Sequence, residues 1–127
     1  FRENMDEYRI KAAAIEATNL YLDSYAITES KAEGTDSPTV LAAKIANELL
    51  DISGVKASFV LTNYNDKIYI SARSIDEVNV QVMMEKLGGG GHINMAGAQL
   101  KDCTVSEAEE KLRTMIDKMI EDGDITQ

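Results

Sequence analysis

Between Met5 and Ile15 apolar residues return every three or four positions, as Met5, Tyr8, Ala12 and Ile15. That period predicts one face of a helix over residues 1–18. In "YLDSYAITES", Tyr21, Tyr25 and Ile27 predict a strand that ends in the polar turn "KAEGTDS". Ser37 before Pro38 marks a helix start, followed by an apolar face of Leu41, Ile45 and Leu49 and a stop at Gly54. The pattern then changes period. "VKASFVLT" alternates, with Val55, Ala57, Phe59 and Leu61 on one side. After the turn "NYND", "KIYISARS" alternates again, Ile68, Ile70 and Ala72 opposing Tyr69, Ser71 and Arg73. Together these predict a hairpin.

Helical spacing resumes at Val80, Met83, Met84 and Leu87, with Asp76 as the expected cap. "AGAQLKDC" reads as a short strand. Ser106 and Glu109 have capping-box spacing for a last helix carrying Ala108, Leu112, Met115, Ile116, Met119 and Ile120. The expected fold is α/β, a mixed β-sheet flanked by helices in the order α-β-α-β-β-α-β-α. Its core should include Phe59, Ile68, Ile70, Val80, Met83, Leu87, Leu112 and Ile116. The methionines at helical spacing read as core too.

With 127 residues the chain is the size of one domain that buries its own core. A single cysteine, Cys103, excludes an internal disulfide, fits a reducing compartment and reads as an inert thiol. No apolar run approaches the roughly 18 residues of a membrane span. The net charge of −9 disfavours long polyanions, which need many Lys and Arg contacts. It leaves room for a small phosphorylated ligand in one positive pocket, for which helix amides, Arg73, Lys86 and His92 are candidates.

The densest chemistry lies in "LGGGGHINMAGAQL". Gly88, Gly89, Gly90 and Gly91 run into His92, the chain's one histidine. Four adjacent glycines are costly to order, and they suit a backbone nest whose N–H groups converge on phosphate oxygens. The spacing matches neither a Walker loop nor a dinucleotide fingerprint. An imidazole beside such a nest is able to donate to a phosphoryl oxygen or stack on a base, but a lone His does not hold a metal. Arg73, in "SARS", offers a guanidinium fork for phosphate, with Ser71 and Ser74 as neighbouring hydroxyls. The carboxylates offer no catalytic pair.

Together, "SARS", a helix and "GGGGH…AGAQL" resemble the DHH-associated C-terminal domain of the DHH phosphoesterase superfamily. The wording "RSIDEVNVQVMMEKLGGGGHINMAGAQL" is most similar to the GdpP-type (YybT-like) cyclic-di-AMP phosphodiesterases. The resemblance implies residues 1–18 as a helical linker from an N-terminal DHH domain and residues 19–127 as the substrate-binding domain. It assigns substrate binding to Arg73, Gly88, Gly89, Gly90, Gly91 and His92, with Ser71 and Asn94 beside them. It places two manganese ions in the DHH domain, so this chain is expected to bind no cofactor and, alone, to hydrolyse nothing. The implied partners are a cyclic dinucleotide or short dinucleotide and the chain's own DHH domain. A homodimer is a further expectation, and long nucleic acid is not. The implied location is cytoplasmic, on a parent anchored in a bacterial membrane. A module for RNA or single-stranded nucleic acid, as in related exonucleases and tRNA enzymes, is the alternative.

Overall fold

A computed structural model describes residues 2–126. Four helices and a six-stranded sheet follow the expected order, with two three-residue strands added. α1 (Met5–Glu16) leads into β1 (Asn19–Tyr21) and β2 (Tyr25–Glu29), then α2 (Pro38–Leu49), β3 (Ala57–Tyr64) and β4 (Lys67–Ser74). α3 (Val80–Lys86), β5 (Gly90–His92), β6 (Met95–Leu100) and α4 (Val105–Glu121) complete the chain. The sheet order is β1-β2-β3-β4-β6-β5, parallel between β2 and β3 and antiparallel elsewhere.

Alternation divides the sheet into two faces. Tyr25, Ile27, Ala57, Phe59, Leu61, Ile68, Ile70, Ala72, Ala96 and Ala98 point to one cluster, completed by Val80, Met83 and Met84 of α3 and Leu112, Met115 and Ile116 of α4. Ala26 and Val60 point the other way, to Ala14 of α1 and Leu41, Ala42, Ile45 and Ala46 of α2. β3 is therefore buried on both faces from Ala57 to Thr62. β4 alternates strictly between buried and half-buried, because α2 covers its second face incompletely. The expected core residues are buried except Leu87, which is half-buried at the edge of the cluster.

Several local expectations shift. The strand expected around Tyr21 to Ile27 breaks at Leu22 and Asp23, both at positive φ, into the β1–β2 hairpin. Asn65 and Asp66, at φ 52° and 62°, make the two-residue β3–β4 turn. Asn79, not Asp76, caps α3 by accepting from the Val82 N–H, while Asp76 sits in the preceding loop at φ 53°. Ser37 precedes α2 as expected but makes no side-chain capping bond. The α4 capping box is Thr104 with Glu107, two residues before the expected pair.

The face of α1 is also misplaced. Met5 is 63% exposed and Tyr8 55%, whereas Glu7 and Ala14 are buried. The segment "IKAAAIE" offers apolar residues on more than one side, and tertiary contact selects the side that approaches closest. Ala14 is small enough for its carbonyl to accept from Thr28 Oγ1 at 2.7 Å. Glu7 tolerates burial because it completes the Asn4 capping box and accepts from Thr35 Oγ1 at 2.6 Å. Lys11 links Glu3 at 2.9 Å to Glu48 of α2 at 3.4 Å, holding the two helices together.

Candidate functional site

The four glycines do not form a free loop or a nest. Leu87 ends α3, and Gly88 takes φ +88°. The Gly88 N–H donates to Glu85 O at 3.1 Å and the Gly89 N–H to Met84 O at 2.8 Å. This pair of bonds is a Schellman C-cap. Gly90 and Gly91 continue as β5, paired with Gly97 and Ala96, and His92 pairs with Met95. β5 is the outer strand, so its far edge has no neighbour.

The glycines differ in what a side chain would meet. A Cβ at Gly89 would lie 2.1 Å from Gly97 O, and one at Gly91 2.5 Å from Ala96 Cα. At those two positions the group that comes too close for a Cβ is the backbone of β6. Gly90 is different, because a Cβ there would meet nothing within 4 Å. It looks onto open space.

Register shows which residues share that space. Cross-strand partners point to the same face. The pairs Val60–Ser71, Ser71–Gly97 and Gly97–Gly90 form one row across the sheet. Ser58–Arg73, Arg73–Met95 and Met95–His92 form the adjacent row. With strands about 4.8 Å apart, Arg73 and His92 stand roughly 10 Å from each other, separated by Met95. All lie on the α2 side of the sheet, where β6 and β5 extend beyond the helix.

Arg73 is half-buried, and burial lowers the pKa of its guanidinium from the usual value. Its Nη1 donates to Ala72 O at 2.9 Å, while its Nε is buried and has no partner. Among the described residues no carboxylate forms an ion pair with it. A buried guanidinium donor without an acceptor is costly to desolvate. His92 is exposed. Beside this row lies a groove of about 440 Å³ lined by Thr39, Tyr69, Ser71, Gly88, Gly89, Gly97, Gln99 and Lys101.

The structure thus brings Ser71, Arg73, Gly90 and His92 onto one open face, with Gly88 and Gly89 at its margin. Ser74 and Asn94 are committed to structure. Ser74 Oγ donates to Val78 O at 2.6 Å, and Asn94 Nδ2 donates to Ser74 Oγ at 3.0 Å and Asp76 O at 3.1 Å. They brace the β5–β6 turn against the loop before α3. Lys86 is not in the pocket expected for it. It lines a separate groove with Leu87 and α4 residues such as Lys111 and Met115. Sequence reasoning passed over Thr39, Gly97, Gln99 and Met95. The alternation of "MAGAQL" was the available signal for the last three, since it sets Met95, Gly97 and Gln99 opposite the buried Ala96 and Ala98.

Among the described residues no group of three or more His, Cys, Asp or Glu is arranged to hold a metal ion. None of the described helices is long and apolar enough to cross a membrane.

The chain matches the DHHA1 domain over residues 24–122. It is 44% identical over 117 residues to the cyclic-di-AMP phosphodiesterase PdeA of Listeria monocytogenes, covering 91% of this chain and 18% of that protein. Identity to the cyclic-di-AMP phosphodiesterase GdpP of Bacillus subtilis is 44% over 126 residues, covering 96% of this chain and 19% of that protein. The chain therefore spans about a fifth of the length of these relatives. An exopolyphosphatase-related protein from Bacteroides fragilis has a similar fold, with TM-score 0.82, 21% identity, and coverage of 93% of this chain and 36% of that one.

Proposed function

The chain belongs to the DHHA1 domain family, and from that premise we propose that it is the substrate-binding domain of a phosphodiesterase acting on cyclic-di-AMP. The observation that carries this reading is Arg73. Its buried Nε has no acceptor, and it stands on a sheet face kept open by Gly90 and Gly97. A phosphodiester at that face accepts from the outer guanidinium nitrogens, since two oxygens of the tetrahedral phosphate match the spacing of the fork's donors. The missing Cβ at Gly90 leaves room for phosphate oxygens or the ribose. His92 lies one strand beyond Met95 on the same face, where it would meet the nucleoside attached to that phosphate. Ser71 and Thr39 line the groove into which the rest of a dinucleotide extends.

Among the described residues no group of three or more His, Cys, Asp or Glu is arranged to hold a metal ion, and the role we assign to this chain is holding and orienting the phosphodiester. Positioning and charge neutralisation account for much of the rate in phosphoryl-group chemistry. The metal ions and the hydrolytic step belong, in this reading, to an N-terminal DHH domain joined through residues 1–18. A parent protein anchored in a bacterial membrane, with this domain on the cytoplasmic side, is part of the same proposal.

The test uses a protein that carries this chain behind such a metal domain. Arg73→Ala should lower cyclic-di-AMP turnover about 10- to 100-fold, the equivalent of one charge-assisted hydrogen bond, with bound manganese unchanged. Arg73→Lys should recover little, because a point charge does not reproduce the fork. Wild-type turnover in Arg73→Ala would remove the central element. A short oligonucleotide that bound more tightly than cyclic-di-AMP, with a steep salt dependence, would instead support a single-stranded nucleic-acid module.

A further inference from the structure

On the open face, one apolar side chain stands between the two cationic or ionisable ones. Met95 is 53% exposed, although its strand neighbours Ala96 and Ala98 are buried. Alternation explains the difference. Ala96 and Ala98 face α3 and α4, whereas Met95 shares the α2 side with Gly97 and Gln99. α2 packs on β3 and β4, and Met95 lies on β6, beyond that cover. Its direct partners are Arg73 on one side and His92 on the other.

A thioether in this position is soft, unbranched and polarizable, and it packs favourably on aromatic rings at their faces or edges. The line Arg73–Met95–His92 covers roughly 10 Å, comparable to a nucleotide from its phosphate to the far edge of a purine. A phosphate held at Arg73 therefore places the attached base over Met95, with the imidazole at its rim. We propose that Met95 is the nucleobase contact of this domain, its side chain packing against a purine whose phosphate is held by Arg73. The inference rests on the phosphodiester-binding reading above and adds the residue that distinguishes a nucleotide from a bare sugar phosphate.

The six methionines allow a direct test on the 127-residue chain. Methyl-labelled methionine gives one resonance each, and Met95→Leu identifies the Met95 signal. The probes are AMP and ribose 5-phosphate, which differ only in the base. AMP should move the Met95 methyl upfield by ring current while leaving that of Met5, exposed on α1, in place. Ribose 5-phosphate should perturb the Arg73 Nε–H and leave the Met95 methyl unmoved. Met95→Ala should weaken AMP about 2- to 10-fold, as expected for the loss of one sulfur–aromatic contact, with ribose 5-phosphate unchanged. The unaltered methyl shifts of the other methionines report that the variant is folded. If AMP perturbs the Arg73 Nε–H but not the Met95 methyl, the base contact is wrong and the phosphate site stands. If AMP and cyclic-di-AMP perturb neither group, both readings fall.

Discussion

Gly89 and Gly90 are adjacent and chemically identical, yet their replacement by alanine should have opposite consequences. At Gly89 the new methyl would lie 2.1 Å from Gly97 O, 2.7 Å from Ala98 Cα and 2.8 Å from Ala98 Cβ. The first two are backbone atoms of β6, a strand held between β4 and β5. No rotamer change relieves them, so β5 and β6 must separate or the α3 cap must open. The expected cost is that of overpacking, about 1–3 kcal/mol, and the backbone contacts favour the upper end. At Gly90 a methyl meets nothing within 4 Å, and φ is not positive. Alanine is compatible there, and the reduced freedom of the unfolded chain should add about 0.4–1 kcal/mol of stability. Urea unfolding of the 127-residue chain, followed by far-UV circular dichroism, separates the cases. With a slope of roughly 1–3 kcal/mol per molar urea, Gly89→Ala should lower the midpoint by about 1 M with the slope unchanged. Gly90→Ala should leave it level or raise it slightly, while weakening nucleotide binding because its methyl enters the open face. Equal destabilisation by both substitutions would refute the division of the glycines into packing and ligand-facing positions.

Three further outcomes follow from other parts of the molecule. Leu112→Ala, at a fully buried position of α4, should cost about 2–5 kcal/mol in the same urea assay, and a loss below about 0.5 kcal/mol would contradict its place in the core. Arg73→Met should keep or raise stability, since it removes a half-buried charge without a counter-ion, yet abolish measurable nucleotide binding by calorimetry; a large loss of stability would make Arg73 a structural residue. Hydrogen bonds from Thr35 and from the Asn4 backbone hold the Glu7 carboxyl below the usual carboxylate range. A depressed pKa gives stability that is present above the unfolded value and is lost as pH falls through the folded one. Glu7→Gln should therefore flatten the acid side of the stability–pH curve below the usual carboxylate range, and an unchanged slope would contradict the Glu7 assignment.

How far the sequence revealed this fold depends on how many partners each pattern had. β4 was plain because its alternation persists in the structure, one side buried and the other only partly covered. That incomplete cover is also what exposes Ser71 and Arg73, so one pattern carried both the strand and the candidate site. α1 is harder to place because its alanines permit more than one buried face, and contact with Thr28 and α2 selects Ala14. The α4 cap slipped by two residues because "TVSEAEE" contains overlapping capping patterns. β6 ends at Leu100 and turns at Asp102, at φ 57°, which selects Thr104. The glycine run is conspicuous in the sequence, but its roles depend on β6. Only when Gly97 and Ala96 are paired alongside does it separate into a helix cap, two close approaches and one open position.

The face joining Arg73, Gly90 and His92 is proposed to bind the phosphodiester of a dinucleotide. Its most direct test is a nuclear magnetic resonance titration of the 127-residue chain with cyclic-di-AMP, reading backbone amides and the Arg73 Nε–H together. Saturable shifts are expected, centred on Arg73 Nε, Gly90, His92, Gly97 and Ser71, all with one dissociation constant. Saturable shifts confined to another surface, such as the Lys11 and Lys44 side of α1 and α2, would contradict it, as would no response at millimolar ligand.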